Sequence, residues 1–243
     1  MSLWLQHIGC VIAFIALTAM VILRTRRLRD PASVRQIELT LVLLGLAASA
    51  IVNWWWLRPA NFVLQKSLPL QLCDLAGLIA PFALLTHARP LRTLLHFWGF
   101  GLSSQWIFTP VAQIAPGVLA GPTDIQFWIS FILHDSILGC GWFDYFVNTY
   151  RPAWRDCFFA IAAGVVYLLA MITLNSAIGS NYAFVGNSTP DVRTIVDILG
   201  PWPFRILVIA FLAIAALIVV QLINVALNRL WPDMESQVQR TED

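Results

Sequence analysis

Charged side chains are scarce in this sequence: Lys, Arg, Asp and Glu make up 12% of its 243 residues, against about a quarter in soluble domains. The net charge of +2 is too small to indicate nucleic-acid binding, and no basic stretch is interleaved with aromatic residues on a soluble face. Hydrophobic residues make up 59% of the chain, and the mean hydropathy is +0.74. This composition predicts an integral membrane protein, with no room for a soluble catalytic domain of ordinary size.

The sequence also lacks the motifs of common cofactor and hydrolase sites, since the Walker, Rossmann, HExxH and GxSxG patterns are absent. Its four cysteines form no CxxC pair, which argues against a disulfide framework and a zinc ribbon. A metal site built from Cys73, His96, His134 or Asp135 would have no recognised spacing. We therefore expect no cofactor and no metal.

Apolar runs of membrane-spanning length predict an all-α, polytopic bundle of seven transmembrane helices. A single transmembrane domain would occupy residues 1–232, followed by a polar cytoplasmic tail at 233–243. A short additional helix over 190–199 is indicated by Thr189 and Pro190 at its start and Gly200 at its end. The predicted spans are 4–23, 36–56, 68–86, 93–109, 124–147, 155–174 and 204–227.

The Lys and Arg residues predict the orientation of this bundle. In a seven-span arrangement, eleven of them fall in the connections on one side and four on the other. Cytoplasmic connections carry the excess of positive charge. The sequence thus predicts an N-terminus outside and a C-terminus inside the cell membrane. The four outer residues are Arg58, Lys66, Arg193 and Arg205.

Two reactive residues, each followed by an aspartate, lie inside predicted spans: Cys73 before Asp74, and His134 before Asp135. Ionisable side chains are costly in a membrane and usually mark functional sites there. Consecutive helical residues point about 100° apart, so Asp135 is poorly placed to orient His134, whereas Asp74 arrives from another helix. The resulting hypothesis is a catalytic triad with Cys73 as nucleophile, His134 as base and Asp74 as the orienting residue.

Other interpretations of the same residues stay open. A lone membrane cysteine often serves only packing, and a membrane histidine often only joins helices. Asp74, His134 and Asp135 also suit a non-enzymatic, ion-coupled transporter or carrier. A structural or partner-binding subunit is a third alternative, and the oligomeric state is not predicted.

Several short motifs resemble those of the bacterial YwaF-type integral membrane proteins, in matching order from about residue 50 to 205. These proteins are similar to a eukaryotic transmembrane acyltransferase that remodels ether-linked phosphatidylethanolamine. The His134–Asp135 pair departs from the His-Gly usual in the bacterial branch. The motifs are Leu68–Leu75, Phe97–Gly99, Thr109–Pro110, His134, Gly179–Tyr182 and Gly200–Pro203.

The resemblance implies an acyltransferase that moves a fatty acyl group between a membrane phospholipid and a lysophospholipid through a thioester on Cys73, with His134 as its partner. Polar residues within the spans and at the predicted outer mouth are the candidates for substrate binding. These candidates are Asn53, Gln105, Asn181, Tyr182 and Trp202.

Overall fold

The computed structural model describes residues 2–108, 113–115, 118–187 and 198–230. These residues are mostly helical, which confirms the predicted helical class, and one antiparallel two-stranded ladder joins β1 (Gln113–Ala115) to β2 (Val118–Leu119). The helices are α1 (Leu3–Thr25), α2 (Pro31–Leu57), α3 (Leu64–Ser67), α4 (Leu72–Thr86), α5 (Arg89–Trp98), α6 (Gln105–Phe108), α7 (Ile125–Phe146), α8 (Trp154–Ile178) and α9 (Phe204–Leu230).

Four helices in the described ranges are long and apolar enough to cross a membrane: α1, α2, α8 and α9. Each of the seven predicted apolar runs contains a helix, but the count of seven crossings and the orientation stay predictions. Most of the predicted short helix at 190–199 and the whole tail at 233–243 lie outside the described residues. The predicted boundary between domain and tail thus stays a prediction.

A π-helical segment, Gly99–Ser103, follows α5 directly, and Ser104 leads from it into α6. We refer to residues 89–108 as the α5–α6 rod. Glycines let its neighbours come close: a Cβ on Gly99 would lie 3.1 Å from Cγ2 of Ile137 in α7, and one on Gly101 would lie 2.8 Å from Cδ2 of Leu217 in α9. The rod is therefore held tightly between α7 and α9.

The central helix of the bundle is α4, which packs against α2, α5 and α7. A Cβ on Gly77 of α4 would overlap with Cδ1 of Leu133 in α7, so these two helices approach closely because Gly77 has no side chain. The outer faces of the bundle carry exposed apolar side chains instead of charges: Leu43, Val166 and Phe211 are 66%, 67% and 70% exposed. Such continuous apolar exposure is expected where lipid is the solvent.

Buried ionic groups join the helices at one end of the bundle, which we call the basic end because arginine-rich connections meet there. Glu38 of α2 is 3% exposed. Its carboxylate pairs with Arg35, lies 3.1 Å from Nε2 of His87, and accepts a hydrogen bond of 2.6 Å from Nδ2 of Asn148. This carboxylate thus joins α2 to the α4–α5 and α7–α8 connections.

The same end holds Asp144 of α7, whose Oδ2 accepts a hydrogen bond of 2.9 Å from Nε of Arg92 in α5. Thr93 of α5 and Tyr150 share a hydrogen bond of 2.7 Å between their hydroxyl groups. Burial raises the pKa of Tyr150 to about 12, so this hydroxyl stays protonated at neutral pH. The two contacts attach α5 to α7 and to the connection that follows α7.

Arg92→Ala is expected to destabilise the bundle, because it leaves the buried carboxylate of Asp144 without its cation. The two side chains are 15% and 3% exposed, and breaking a buried ion pair costs about 3 kcal/mol or more. The expected result is a lower Tm in detergent, followed by the fluorescence of the eleven tryptophans. Arg27→Ala, at an exposed residue of the α1–α2 connection, is the control, and an equal Tm in both variants would contradict the assignment.

Candidate functional site

Cys73 lies in the first turn of α4. The sequence predicted a span beginning at residue 68, but Leu68–Gln71 is a non-helical lead-in and α4 begins at Leu72. Pro69 explains part of this difference, since a proline disfavours helical conformation in the residue before it. The half-buried Cys73 side chain therefore lies at a helix N-terminus, where backbone N–H groups lack helical acceptors.

Two tyrosines hold this lead-in to α4 in place. The Tyr182 hydroxyl donates to the carbonyl oxygen of Leu64 at 2.8 Å and accepts from the backbone N–H of Leu68 at 3.0 Å. The Tyr167 hydroxyl of α8 donates to the carbonyl oxygen of Leu70 at 2.8 Å. These hydrogen bonds fix the backbone just before Cys73.

The loop that carries Tyr182 is itself held together by side-chain hydrogen bonds. Oδ1 of Asn175 accepts from the backbone N–H of Tyr182 at 2.8 Å, and Oδ1 of Asn181 accepts from that of Gly186 at 2.9 Å. Trp202 Nε1 donates to the carbonyl oxygen of Val185 at 3.2 Å. Asn181, Tyr182 and Trp202, predicted to bind substrate, thus form hydrogen bonds that shape the loop and brace the α4 lead-in.

Tyr182→Phe is expected to loosen the lead-in, because it removes the hydroxyl that accepts from the backbone N–H of Leu68 and donates to the carbonyl oxygen of Leu64. Leaving such groups unsatisfied costs about 1 to 3 kcal/mol. Hydrogen–deuterium exchange at residues 64–71 should therefore become faster. Tyr145→Phe, at the basic end, is the matched control and should leave that segment unchanged; unchanged exchange in Tyr182→Phe would contradict the bracing role.

A polar cavity of about 170 Å³ lies beside the start of α4. The carboxylate of Asp74 lines it, with Oδ2 accepting from the backbone N–H of Gln71 at 3.1 Å. Asn53 also lines it and donates from Nδ2 to the carbonyl oxygen of Ser49 at 2.7 Å. Lys66 supplies a positive charge. Of the predicted substrate-binding residues, Asn53 lines this cavity, whereas the exposed Gln105 is not among its lining residues.

His134 lies 6% exposed in α7, and its ring is oriented by its own helix. Nδ1 is 2.7 Å from the carbonyl oxygen of Ser130. A carbonyl oxygen only accepts hydrogen bonds, so Nδ1 carries the proton, and in the neutral ring Nε2 keeps its lone pair. The orienting role was predicted for Asp74, but the hydrogen bonds of the structure join His134 to Ser130 and Asp74 to Gln71.

The surroundings of His134 are aromatic. Its ring stacks on Trp106 of α6, with centroids 5.4 Å apart and planes 9° apart. The carbonyl oxygen of Trp106 lies 2.9 Å from Nε2 of His7 in α1, which is 1% exposed. Through this stacking contact, Trp106 of the α5–α6 rod fixes the position of the His134 ring.

The α5–α6 rod reaches both parts of the candidate site. Its π-helical segment packs against α4, the helix that carries Cys73, and Trp106, three residues after this segment, stacks on His134. Trp106 was not predicted as a site residue, since it is one of eleven tryptophans in the chain.

Asp135, which the alternative transporter interpretation uses, has one carboxylate oxygen without a hydrogen-bond partner among the described residues. Its Oδ1 is buried and forms no hydrogen bond within the described residues. Among those same residues, no three His, Cys, Asp or Glu side chains come together to hold a metal ion.

A helical bundle with exposed apolar faces, a polar pocket beside α4 and a cysteine at a helix start defines a membrane protein with a polar pocket among its helices. The chain belongs to the TMEM164 family of transmembrane proteins, which it matches over residues 1–221. No curated protein and no solved structure matches it.

Proposed function

We propose that this protein is a phospholipid acyltransferase of the cell membrane, with Cys73 as nucleophile and His134 as general base. One observation carries the proposal: the Ser130 carbonyl fixes the His134 tautomer that leaves Nε2 free to accept a proton. The resemblance to the YwaF-type proteins and their eukaryotic acyltransferase relative supports the same two residues.

In the first half of the reaction, the Cys73 thiol gives its proton to Nε2 of His134, directly or through one water. The sulfur attacks the ester carbonyl carbon of a phospholipid, and the ester C–O bond breaks. His134 returns the proton to the departing oxygen, which releases a lysophospholipid and leaves an acyl thioester on Cys73.

In the second half, the hydroxyl of another lysophospholipid attacks the thioester carbonyl, with His134 again accepting the proton. The C–S bond breaks, and the sulfur takes the proton back as a thiol. Backbone N–H groups at the start of α4 are suitable donors for the negative charge that develops on the carbonyl oxygen in each half.

The cavity beside α4 is the proposed headgroup site. Asp74 and Lys66 give it one negative and one positive group, which suits a headgroup that carries both charges. In this proposal Asp74 binds substrate and caps α4, and it does not orient His134. The predicted orientation opens the cavity toward the outer face of the membrane.

The test is acyl exchange by the purified protein in liposomes of defined lipids. A phospholipid with an isotope-labelled acyl chain serves as donor and an unlabelled lysophospholipid as acceptor, and mass spectrometry follows the label. We expect the label to appear in the acceptor lipid with time and protein concentration. No transfer above protein-free liposomes, over several donor and acceptor headgroups, would contradict the proposal.

A second candidate function is an ion-coupled transporter or carrier that uses Asp74, His134 and Asp135. The observation that favours it is the buried Oδ1 of Asp135, which has no hydrogen-bond partner within the described part of the chain. Proton flux into sealed proteoliposomes, measured with an internal pH dye, distinguishes the two functions. Flux that is lost in Asp135→Asn, without acyl exchange in the wild type, would favour the transporter.

A further inference from the structure

A small cavity lies at the basic end, where α1, α7 and α9 end. Its volume is about 30 Å³, roughly the space of one water molecule, so it holds part of a bound group and not a whole ligand. Since α4 runs from the polar cavity at its start to His87 at the basic end, the two cavities lie at opposite ends of the bundle. We call the smaller one the arginine pocket, and its lining residues are Arg26, Tyr145, Phe146, Arg151, Leu227 and Asn228.

Two guanidinium groups from different connections line the arginine pocket. Arg26 directly follows α1 and is exposed. Arg151 lies between α7 and α8, and its Nη1 donates to the carbonyl oxygens of Tyr145 at 2.7 Å and of Tyr150 at 3.2 Å. Its Cζ lies 4.7 Å from the centroid of the Tyr145 ring, so the guanidinium group is held in one orientation. Within the described residues, no carboxylate lines this pocket.

The remaining wall of the arginine pocket is largely apolar and continues into the outer surface of the bundle. Phe146 ends α7, and Leu227 lies in the last turn of α9; they are 38% and 39% exposed. Between them, the Tyr145 hydroxyl donates to Oδ1 of Asn228 at 3.3 Å and so joins α7 to α9. Guanidinium groups beside an apolar wall at a membrane boundary suit a molecule with an anionic head and an apolar body. A free anion would make no use of the wall.

The charges around the arginine pocket are also positive. Residues 24–29 contain four arginines, and a cluster of this size next to a membrane span attracts anionic lipids. The neighbouring carboxylate of Asp30 accepts hydrogen bonds from the backbone N–H groups of Ala32 and Ser33, so it is directed toward the start of α2. Three further carboxylates of this end are buried inside the bundle: Glu38, Asp144 and Asp156.

We propose that the arginine pocket binds the headgroup phosphate of an anionic membrane lipid, from the leaflet that meets the basic end. Arg26 and Arg151 donate to the phosphate oxygens, since the planar guanidinium group matches phosphate geometry. The glycerol group and the first methylene groups of the chains lie along Phe146 and Leu227. A zwitterionic lipid carries the same phosphate, but its cationic group would lie among arginines, so the pocket selects for net negative charge. This site takes no part in acyl transfer and does not depend on the proposed function.

The test is lipid binding to the purified, delipidated full-length protein in neutral detergent, measured by native mass spectrometry. Phosphatidylglycerol is the anionic probe, and phosphatidylcholine with the same chains is the neutral one. We expect the wild type to bind phosphatidylglycerol about thirtyfold more tightly, because each arginine near an anionic headgroup is worth roughly fivefold. Arg26→Gln/Arg151→Gln should bind the two lipids with affinities within about threefold of each other.

The matched control is Arg27→Gln/Arg155→Gln, which removes the same charge at the same end from exposed residues outside the pocket. It should keep most of the preference for phosphatidylglycerol, because exposed charges away from the lipid are screened by salt. Arg151 also binds backbone carbonyl oxygens, so the Tm of each variant shows whether it is folded. Arg26→Gln alone, at an exposed residue, should weaken phosphatidylglycerol binding about fivefold.

Three results would overturn the inference. Equal affinities of the wild type for the two lipids would show that the pocket does not select for charge. An equal loss in the pocket and control variants would show a diffuse attraction without a site. Displacement of phosphatidylglycerol by an equal concentration of inorganic phosphate would show that the pocket takes a free anion and not a lipid.

Discussion

Cys73→Ala is expected to reduce acyl exchange in liposomes to the protein-free background, a loss of about a thousandfold or more, as seen when a catalytic nucleophile is removed. In the proposed mechanism, the acyl group leaves the donor lipid only by forming a bond to the Cys73 sulfur. Alanine offers no such atom. The half-buried side chain can be shortened with little effect on packing, so the folded bundle should survive.

The control for this variant is Cys10→Ala. Cys10 is also half-buried and forms no disulfide, but it lies in α1 and packs against the buried cluster that includes Val11, Trp106 and Phe131. Its removal should leave acyl exchange at the wild-type rate. The Tm of both variants, measured by tryptophan fluorescence, shows whether each protein is folded. Exchange that persists in folded Cys73→Ala would rule out the covalent mechanism.

His134→Asn is expected to lower the rate of acyl exchange by about 10²-fold to 10⁴-fold, the usual contribution of a general base. Asparagine is a specific replacement because its side-chain amide nitrogen occupies nearly the same position as Nδ1 of histidine. It therefore keeps the hydrogen bond to the carbonyl oxygen of Ser130. The variant therefore removes Nε2, the atom that accepts the proton, while the orientation of the side chain is retained. The rate should fall without a comparable loss of stability.

The control for the histidine is His87→Asn at the basic end. The side chain of His87 is 41% exposed, and its backbone has φ = 52°, a conformation that asparagine tolerates well. Exchange should be nearly unchanged in this variant. A wild-type rate in His134→Asn, or an equal loss in both variants, would show that His134 is not the base.

The helices were predictable from the sequence because apolar runs of spanning length leave the backbone few alternatives in lipid. Local sequence features, such as a proline, determine the residue at which a helix begins. The third run is apolar from residue 68, yet the helix begins only at Leu72, in part because Pro69 disfavours helical conformation at Leu68. Cys73 therefore lies in the first turn. The π-helical segment at 99–103 has no recognised sequence pattern and was not predicted, and Gly99 and Gly101 lie where α7 and α9 approach it closely.

The sequence singled out candidate site residues but did not predict their contacts. Cys73, Asp74 and His134 stood out because ionisable groups are rare in apolar runs. Their hydrogen bonds did not follow from this: His134 is bound by Ser130 on its own helix, and Asp74 caps α4 through Gln71. Tyr182 contacts Leu64 and Leu68 across more than a hundred residues, and such long-range contacts leave no pattern in the sequence.

The central claim is that an acyl group is held on Cys73 between donor and acceptor. The most direct measurement is the intact mass of the protein after incubation with a donor phospholipid of one defined chain and no acceptor. The covalent mechanism predicts an added mass of one acyl group that maps to Cys73, is released by neutral hydroxylamine, and disappears when lysophospholipid is added. Acyl exchange in the wild type without such an adduct, or an adduct that persists in Cys73→Ala, would contradict it.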